Sequence, residues 1–315
     1  MNLYLGVTDT NWFNYLFRIN PEDVNFWQPG GHSSFKVLER GAPFLFKLKY
    51  PVNAIGGVGF FVSHTSLPLS LAWETFETGN GCASFSEFKS AIMKYRSGSN
   101  ALETDPIIGC IVLTNPVFFK SEDWIPAPSD WSKNIVSGKS YSTEEPIGKE
   151  IWNQVEARLE RYNFYDKEMR EGDAISADTS LANRYGSYLA KVRLGQGSFR
   201  LLITDVYNRR CAVSGERTLP VLEAAHIKPY AESGPHAIAN GLLLRSDLHK
   251  LFDAGYITVT ENYSVEVSKR IKAEYENGKE YYRYHGKKLI VLPENTQEQP
   301  GGGYLLWHNE NVFRG

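Results

Sequence analysis

The feature that most constrains this chain is an ordered series of three residues, His226, Asn240 and His249. The gaps are 14 residues (226 to 240) and 9 residues (240 to 249). A histidine can accept a proton from water near neutral pH, and a second histidine can ligate a divalent cation. An asparagine between them can bond loop backbone and fix where the first imidazole points. The series therefore predicts a metal-assisted site for phosphodiester hydrolysis.

The sequence around this series predicts a compact local structure. Its apolar runs and turn residues indicate a strand at 221–227, a loop at 228–239, a strand at 240–244 and a helix at 246–255. Ser246 is the predicted N-cap of that helix, because its hydroxyl can accept a backbone N–H of the first turn. In this frame His226 ends the first strand and His249 lies early in the helix, so both can line one cleft.

These residues resemble the HNH nuclease motif, the ββα-metal fold, through Ala-His226-Ile-x-Pro and Leu-His249-x-Leu-Phe-Asp. The resemblance implies that His226 is the general base, Asn240 the structural residue and His249 a metal ligand. It also implies one divalent ion, Mg²⁺ or Mn²⁺, at each nuclease site. The alternative is an HNH fold that has lost its activity.

The motif departs from the family pattern at the metal site. Many HNH nucleases carry an aspartate ligand just before the first histidine, where this chain has Ala225. Asp247, two residues before His249, is the first choice for the replacement ligand. Glu223 is the second choice.

A second departure concerns zinc. Many HNH domains carry two Cys-x-x-Cys pairs, but here Cys211 is followed by Ser214, and Arg245 and Leu248 stand at the downstream pair. One thiol cannot complete a tetrahedral structural site. We therefore expect no structural zinc.

Charge is distributed unevenly along a chain whose net charge is only −2 over 315 residues. Residues 141–178 contain ten acids and five bases, whereas 184–217 contain seven bases and two acids. The basic stretch leads directly into the HNH-like motif, and such a cluster suits contact with DNA phosphates. The alternative is a solvated basic surface.

The cellular setting follows from simple features of the sequence. Three scattered cysteines provide no disulfide framework and suit a reducing cytoplasm. The first residues lack a basic segment followed by an apolar one, so we expect no signal peptide. No apolar run reaches the ~20 residues of a membrane span, so we expect no membrane partner.

The chain is expected to be an α+β protein in three parts. Residues 1–140 are rich in aromatic and β-type runs, 141–184 form a predicted helical linker, and 185–315 form the nuclease domain. The resemblance to HNH nucleases covers about residues 192–260. It includes the segment Gly195 to Arg200, which precedes the motif.

The first part resembles the EVE branch of the PUA-like superfamily. The segments that carry this resemblance are Leu5–Asp9, Trp12-Phe13, Phe26-Trp27-x-Pro-Gly30, Gly41–Lys47 and Ile55–Gly59. The resemblance implies a β-barrel-type domain that holds a flipped, modified nucleobase in an aromatic pocket.

Candidate pocket residues are aromatic side chains with polar neighbours. Trp27, beside a Pro-Gly-Gly loop, and Trp73 are the preferred walls, with Ser34 as the preferred polar contact. The wider set is Trp12, Phe35, Phe61 and Phe76 for the walls and Ser33 and Asn53 for polar contacts. For each aromatic residue the alternative is packing in the core.

A base reader joined to an HNH nuclease predicts a modification-dependent restriction endonuclease. Its partner would be double-stranded DNA containing modified cytosine, and a homodimer would supply one site per strand. One alternative is an HNH nuclease directed by sequence or structure, whose first domain contacts proteins. Another is a modified-base-binding module with an inactive nuclease.

Overall fold

The structure is a computed structural model that describes residues 1–31, 34–96, 103–162 and 194–315. The chain divides into two compact units, 1–195 and 196–315. In the described ranges, none of the helices combines the length and the apolarity needed to cross a bilayer.

The first unit is built on one mixed sheet. Its strands are β1 (Asn2–Thr8), β2 (Asp23–Gln28), β3 (Pro43–Leu48), β4 (Ala54–Pro68), β5 (Ile107–Phe118), β6 (Ile125–Pro126) and β7 (Gly138–Ser142). They are ordered β2-β5-β4-β3-β1-β7, with β6 paired to β4. Strands β1 and β3 pair in parallel, whereas the other pairs are antiparallel. The path ends at β2 and β7, so the described strands form an open sheet, whereas a β-barrel-type domain was expected.

In the described part of the first unit, four helices accompany this sheet: α1 (Thr10–Ile19), α2 (Leu69–Phe76), α3 (Phe85–Met93) and α4 (Pro146–Arg161). Helix α1 begins where the Asp9 carboxylate accepts the Asn11 N–H at 2.9 Å. It ends at Asn20, whose left-handed backbone lets its N–H bond the Leu16 carbonyl.

Alternation along the strands gives the sheet two apolar faces. Leu3 and Leu5 of β1 pack in one core cluster, whereas Phe44 and Phe46 of β3 belong to a second. Helix α4 covers the first cluster, with buried Ile151, Trp152, Val155 and Leu159. Helix α1 covers the second, with Trp12, Phe13 and Leu16.

The predicted linker 141–184 contributes packed structure to the first unit. Tyr141 lies in β7, paired with Leu3 of β1, and α4 supplies part of the core. The part of this segment from residue 163 onward lies outside the described residues.

The second unit contains the predicted sequence of strand, loop, strand and helix. Strand β8 (Leu222–His226) pairs with β9 (Gly241–Arg245) in antiparallel register, with His226 opposite Gly241. Helix α6 (Ser246–Asp253) follows directly. Ser246 is its first helical residue, and Arg245 occupies the cap position with no side-chain cap bond, so the predicted Ser246 cap is wrong.

The second unit contains further helices and strands besides this hairpin and helix. They are α5 (Gln196–Val206), β10 (Ile257–Val259), β11 (Val265–Val267), α7 (Arg270–Tyr275), α8 (Lys279–Tyr282) and α9 (Gly302–Asn311). The approach of α5 to β9 requires a glycine, because a Cβ at Gly241 would collide with Ile203 and Phe199. Helix α5 thereby lies against β8, which ends at His226, and β9, which begins directly after Asn240.

Candidate active site

His226 ends β8 with its imidazole half-buried against α5. Its ring stacks on Phe199, with centroids 4.0 Å apart and an interplanar angle of 14°. Its Nε2 lies 2.8 Å from Nδ1 of His236, a residue of the loop between β8 and β9. The His226 ring is therefore held on one face by packing and at one edge by a hydrogen bond.

The electrostatic surroundings keep His226 neutral. Burial, with added repulsion from His236 and His249, lowers the pKa of His226 to about 4. At neutral pH the imidazole is unprotonated, so one of its two ring nitrogens carries a lone pair and the other carries a proton.

Asn240 is fully buried and connects the two ends of the β8–β9 loop. Its Oδ1 accepts the Lys228 N–H at 2.8 Å. Its Nδ2 donates to the carbonyls of Lys228 and Pro235, each at 2.9 Å. The Ile227 N–H bonds the Asn240 carbonyl at 2.9 Å, so the backbone directly after His226 is fixed.

His249 lies in α6 between two carboxylates. Its Nδ1 is 2.7 Å from Oε2 of Glu223 on β8, and its Nε2 is 3.3 Å from Oδ2 of Asp253, one helical turn later. The sequence analysis missed this second carboxylate, although the i, i+4 spacing of His249 and Asp253 was a signal that could have identified it.

Asp247, the first choice for the replacement ligand, has other partners. Its two carboxylate oxygens bond Nε and Nη2 of Arg245 at 2.6 and 2.8 Å, and Tyr281 Oη lies 3.3 Å away. The bond to Arg245 holds the pKa of Asp247 below its usual range. The carboxylate that the structure brings to His249 from β8 is that of Glu223, the second choice.

The donors around His249 suit a divalent ion in type. Carboxylates suit Mg²⁺ and Mn²⁺, a neutral imidazole is a common metal ligand in proteins, and water or substrate phosphate can complete the coordination. Among the described residues, no group of three or more His, Cys, Asp or Glu side chains is already arranged to hold a metal. Binding would require His249 to exchange a carboxylate contact for the ion, with Glu223 and Asp253 adjacent.

Cys211 has a packing role. The thiol is fully buried, and its sulfur accepts the N–H groups of Ser214 and Arg245, each at 3.3 Å. These are two of the positions where other HNH sequences are expected to carry cysteines. In this chain the sulfur therefore joins the two segments through hydrogen bonds.

A comparison with protein families covers the segment that contains these residues. Residues 211–260, which contain His226, Asn240 and His249, match the HNH endonuclease family. Residues 211–260 are an HNH endonuclease domain. Among curated proteins no match to the chain is found.

Three solved structures are similar to parts of the chain. The modification-dependent TagI restriction endonuclease is 21% identical over 38% of this chain and 39% of its own, with a TM-score of 0.27. A mutant of ZmASCH from Zymomonas mobilis is 8% identical over 48% and 96%, with a TM-score of 0.32. The type IV phosphorothioation-dependent restriction endonuclease ScoMcrA is 14% identical over 74% and 48%, with a TM-score of 0.18. This chain thus spans well under half of TagI.

Basic residues accompany the HNH domain. Of the seven bases in 184–217, Arg200, Arg209, Arg210 and Arg217 are described, and the others lie outside the described residues. The Lys228 ammonium, two residues after His226, lies 5.4 Å from the centre of the Trp307 ring. This cation is therefore placed near the end of β8.

The two preferred tryptophans of the first unit share a neighbour. Trp27 and Trp73 are half-buried, and their rings lie 6.2 and 6.1 Å from that of Phe88. The Trp27 indole N–H donates to the Asn80 carbonyl at 3.0 Å. Ser34 is exposed in the loop after β2.

The other pocket candidates divide between core and surface. Buried in the core of the first unit are Trp12, Phe35, Phe61 and Phe76. Asn53 is exposed in a turn, with a φ of 49°, and Ser33 lies outside the described residues. The alternative of core packing therefore describes four of the six aromatic candidates.

His64 on β4 is a polar group that the sequence analysis missed. Its Nδ1 accepts the Phe35 N–H at 3.4 Å, while its buried Nε2 has no hydrogen-bond partner within the described part of the chain. Burial lowers the pKa of His64. A Cβ at Gly109 would approach both His64 Nε2 and Gln28 Oε1, so the glycine keeps this space open.

Proposed function

We propose that this chain is a modification-dependent DNA endonuclease. Its HNH domain would hydrolyse phosphodiester bonds, and its first unit would select DNA that contains modified cytosine. The observation that carries the nuclease proposal is the arrangement within one ββα unit. A neutral His226 ends β8, while His249, in contact with Glu223 and Asp253, lies on α6.

The proposed reaction assigns separate tasks to these residues. His226 takes a proton from the attacking water as the oxygen adds to phosphorus. Asn240 keeps the loop after β8 in place, so that the imidazole needs no reorganisation when the substrate binds. Glu223, His249 and Asp253 would hold a divalent ion, which when bound polarises the phosphate and stabilises charge on the leaving oxygen.

Phosphate binding would come from cations around the same unit. Lys228 lies two residues after the end of β8, and its ammonium lies over the Trp307 ring, 5.4 Å from the ring centre. Arginines at 200, 209, 210 and 217 add positive charge to a chain that is slightly acidic as a whole. Such local charge supplies affinity for DNA without selecting its sequence.

The reader proposal rests on the sequence motifs of residues 5–59 and on the environment of two side chains. Flipping a base costs a few kcal/mol, and stacking on aromatic faces returns about 1–3 kcal/mol per base. Trp27 and Trp73 are aromatic yet only half-buried, and His64 has a ring nitrogen without a partner in the described chain. These three residues are our candidates for contact with the base.

The decisive experiment compares plasmid DNA with and without modified cytosine, in Mg²⁺ and in Mn²⁺. We expect wild-type protein to cut the modified plasmid preferentially and His226→Ala to cut neither. Equal cutting of both plasmids would favour the alternative of an HNH nuclease directed by sequence or structure, with a protein-binding first unit. No cutting of either, together with tighter binding of modified DNA, would favour a binding module with an inactive nuclease.

The products of the same plasmid cleavage experiment also test the oligomeric state. One HNH domain cuts one strand at a time, so a double-strand break needs two protomers or two visits. We propose a homodimer on DNA, which would convert supercoiled plasmid to linear product without accumulation of nicked circles. Accumulation of nicked circles at saturating protein would indicate a monomer.

A further inference from the structure

We propose that His236 is a positioning residue that selects the tautomer of His226. An acceptor at His236 Nδ1 keeps the proton of His226 on Nε2 and leaves the lone pair on Nδ1 for the attacking water. This inference rests on the proposed nuclease function. It adds a fourth residue to the three of the HNH motif.

The argument begins with the 2.8 Å contact between His226 Nε2 and His236 Nδ1. A hydrogen bond between two neutral imidazoles has one protonated nitrogen and one lone pair. If His236 donated, His226 would carry its proton on Nδ1, and neither of its nitrogens could accept a proton from water. If His236 accepts, His226 Nδ1 holds a lone pair. The contact therefore decides whether His226 can act as a base.

Packing on both rings holds this contact in place. His236 stacks on Tyr230, with centroids 4.7 Å apart and an interplanar angle of 16°, while His226 stacks on Phe199. The residue before His236 is tied to Asn240 through the Pro235 carbonyl. Because neither ring can rotate without losing a stack, the pair is organised before substrate arrives.

The proton balance of the step is simple. Water loses one proton to His226 Nδ1, so one O–H bond breaks and one N–H bond forms. The hydroxide oxygen adds to phosphorus. His226 becomes an imidazolium whose Nε2–H still donates to His236 Nδ1, and a charge-assisted bond is stronger than the neutral bond that preceded it. His236 therefore stabilises the product of proton transfer more than the reactant.

The test uses two substitutions in the full chain. His236→Phe keeps an aromatic ring against Tyr230 but removes the acceptor. His236→Asp removes the ring but keeps an acceptor. The aspartate Oδ1 is bonded to Cγ, as Nδ1 is in histidine, so the two atoms are equally far along the side chain. We expect His236→Phe to lower the single-turnover nicking rate about 100-fold, as expected for loss of a correctly protonated base, with the Kd for DNA unchanged. His236→Asp is expected to recover most of this loss.

Tyr230→Phe serves as the matched control, since it preserves the stack on His236, and it should nick at the wild-type rate. A folded His236→Phe that nicks within about twofold of wild type would overturn the proposal. So would a folded His236→Asp that is as slow as His236→Phe, because the acceptor would then not be what matters.

A second measurement uses the wild-type protein and so does not depend on how the variants fold. In ¹⁵N-labelled full-length protein, the ring-nitrogen signals of His226, identified by their loss in His226→Gln, report which nitrogen is protonated. We expect a proton on Nε2 and none on Nδ1 at neutral pH. A proton on Nδ1 would overturn the inference even if the enzyme is active. A wild-type protein that nicks no DNA would instead refute the proposed function, and the tautomer would still be decided by this spectrum.

Discussion

Glu223 Oε2 lies 2.7 Å from His249 Nδ1, which connects strand β8 to helix α6 across the candidate metal site. Glu223 stands two residues before Ala225, and side chains two apart on a strand project from the same face. A carboxylate is therefore available from the strand that lacks the expected aspartate.

Exchanging Glu223 for an amide should separate the two candidate ligands. We expect Glu223→Gln to raise the concentration of Mg²⁺ or Mn²⁺ needed for half-maximal nicking by about 10-fold or more, in the range found when metal-site partners are changed. Asp247→Asn, which loses the charge and one of the two bonds to Arg245, should leave the metal requirement near that of wild type. The reverse pattern would return the ligand role to Asp247.

Removing the imidazole of His226 should abolish cleavage. His226→Ala is expected to lower the nicking rate by at least about 100-fold, the usual contribution of a general base, while the Kd for DNA stays constant. His285→Ala is a suitable control because that histidine is exposed and bonds the Val267 N–H outside the site. Retention of a substantial nicking rate by His226→Ala would show that another group is the base.

Asn240→Ala should destabilise the second unit as well as slow cleavage. The substitution leaves two carbonyls and one N–H without their partner, and a buried unsatisfied polar group costs about 1–3 kcal/mol. Urea denaturation should show a loss of at least that size. Asn277→Ala, on an exposed turn, should show little change. Wild-type stability in Asn240→Ala would contradict the assigned role.

Acid should weaken the second unit through His308. This side chain is 2% exposed, bonds Thr258 Oγ1 and stacks on Phe252. Burial lowers the pKa of His308 to about 4, below the ordinary value near 6.5. The unfolded state therefore binds the proton first, so stability is complete above pH 6.5 and falls as pH drops from about 6.5 to 4.

The shift in the pKa of His308 sets the size of this effect. The free energy of unfolding should be lower by about 3 kcal/mol once the pH is below 4. Urea denaturation at a series of pH values should show it, and His308→Gln should have a shallower dependence over that range. His285→Gln, at an exposed position, should keep the wild-type dependence. Equal pH dependence in His308→Gln and wild type would contradict the assignment.

DNA binding by Trp27 variants tests the proposed modified-base reader role of the first unit. In a His226→Ala background, Trp27→Ala should weaken binding of modified duplex by about 1–3 kcal/mol, or roughly 5- to 150-fold in Kd. Binding of unmodified duplex should change little. Trp27→Phe keeps an aromatic face but loses the hydrogen bond to the Asn80 carbonyl. Comparison of the two variants therefore separates the loss of base stacking from the effect of this bond on folding. Equal affinity of the His226→Ala protein for modified and unmodified duplex would remove the basis for a reader.

Local patterns predicted local structure well. The apolar runs at 221–227 and 240–244 and the helix after them predicted β8, β9 and α6 within one or two residues. These elements depend on neighbours in sequence and on one hairpin. The pairing of β1 with β3 and β7 depends on contacts between distant segments, and no local pattern specifies whether such a sheet closes.

Competition between partners explains what was missed in the site. Asp247 was chosen for its spacing from His249, but the guanidinium of Arg245 takes both of its oxygens. His236 follows His226 by ten residues, and only the folded loop brings the two rings together. For α4 a signal was present: Ile151, Val155 and Leu159 recur every four residues, the pattern of a helix that packs against a core.

The bonds from Asn240 to Lys228 and Pro235 make the loop tip between them a self-contained turn. Glu232 is exposed at that tip, away from the backbone that fixes His226. A cysteine placed there would accept a fluorescent probe selectively, because Cys110 and Cys211 are buried and burial raises the pKa of Cys82 to about 11. The protein thus offers a reporter position within a few residues of its proposed base, from which DNA arrival could be timed separately from cleavage.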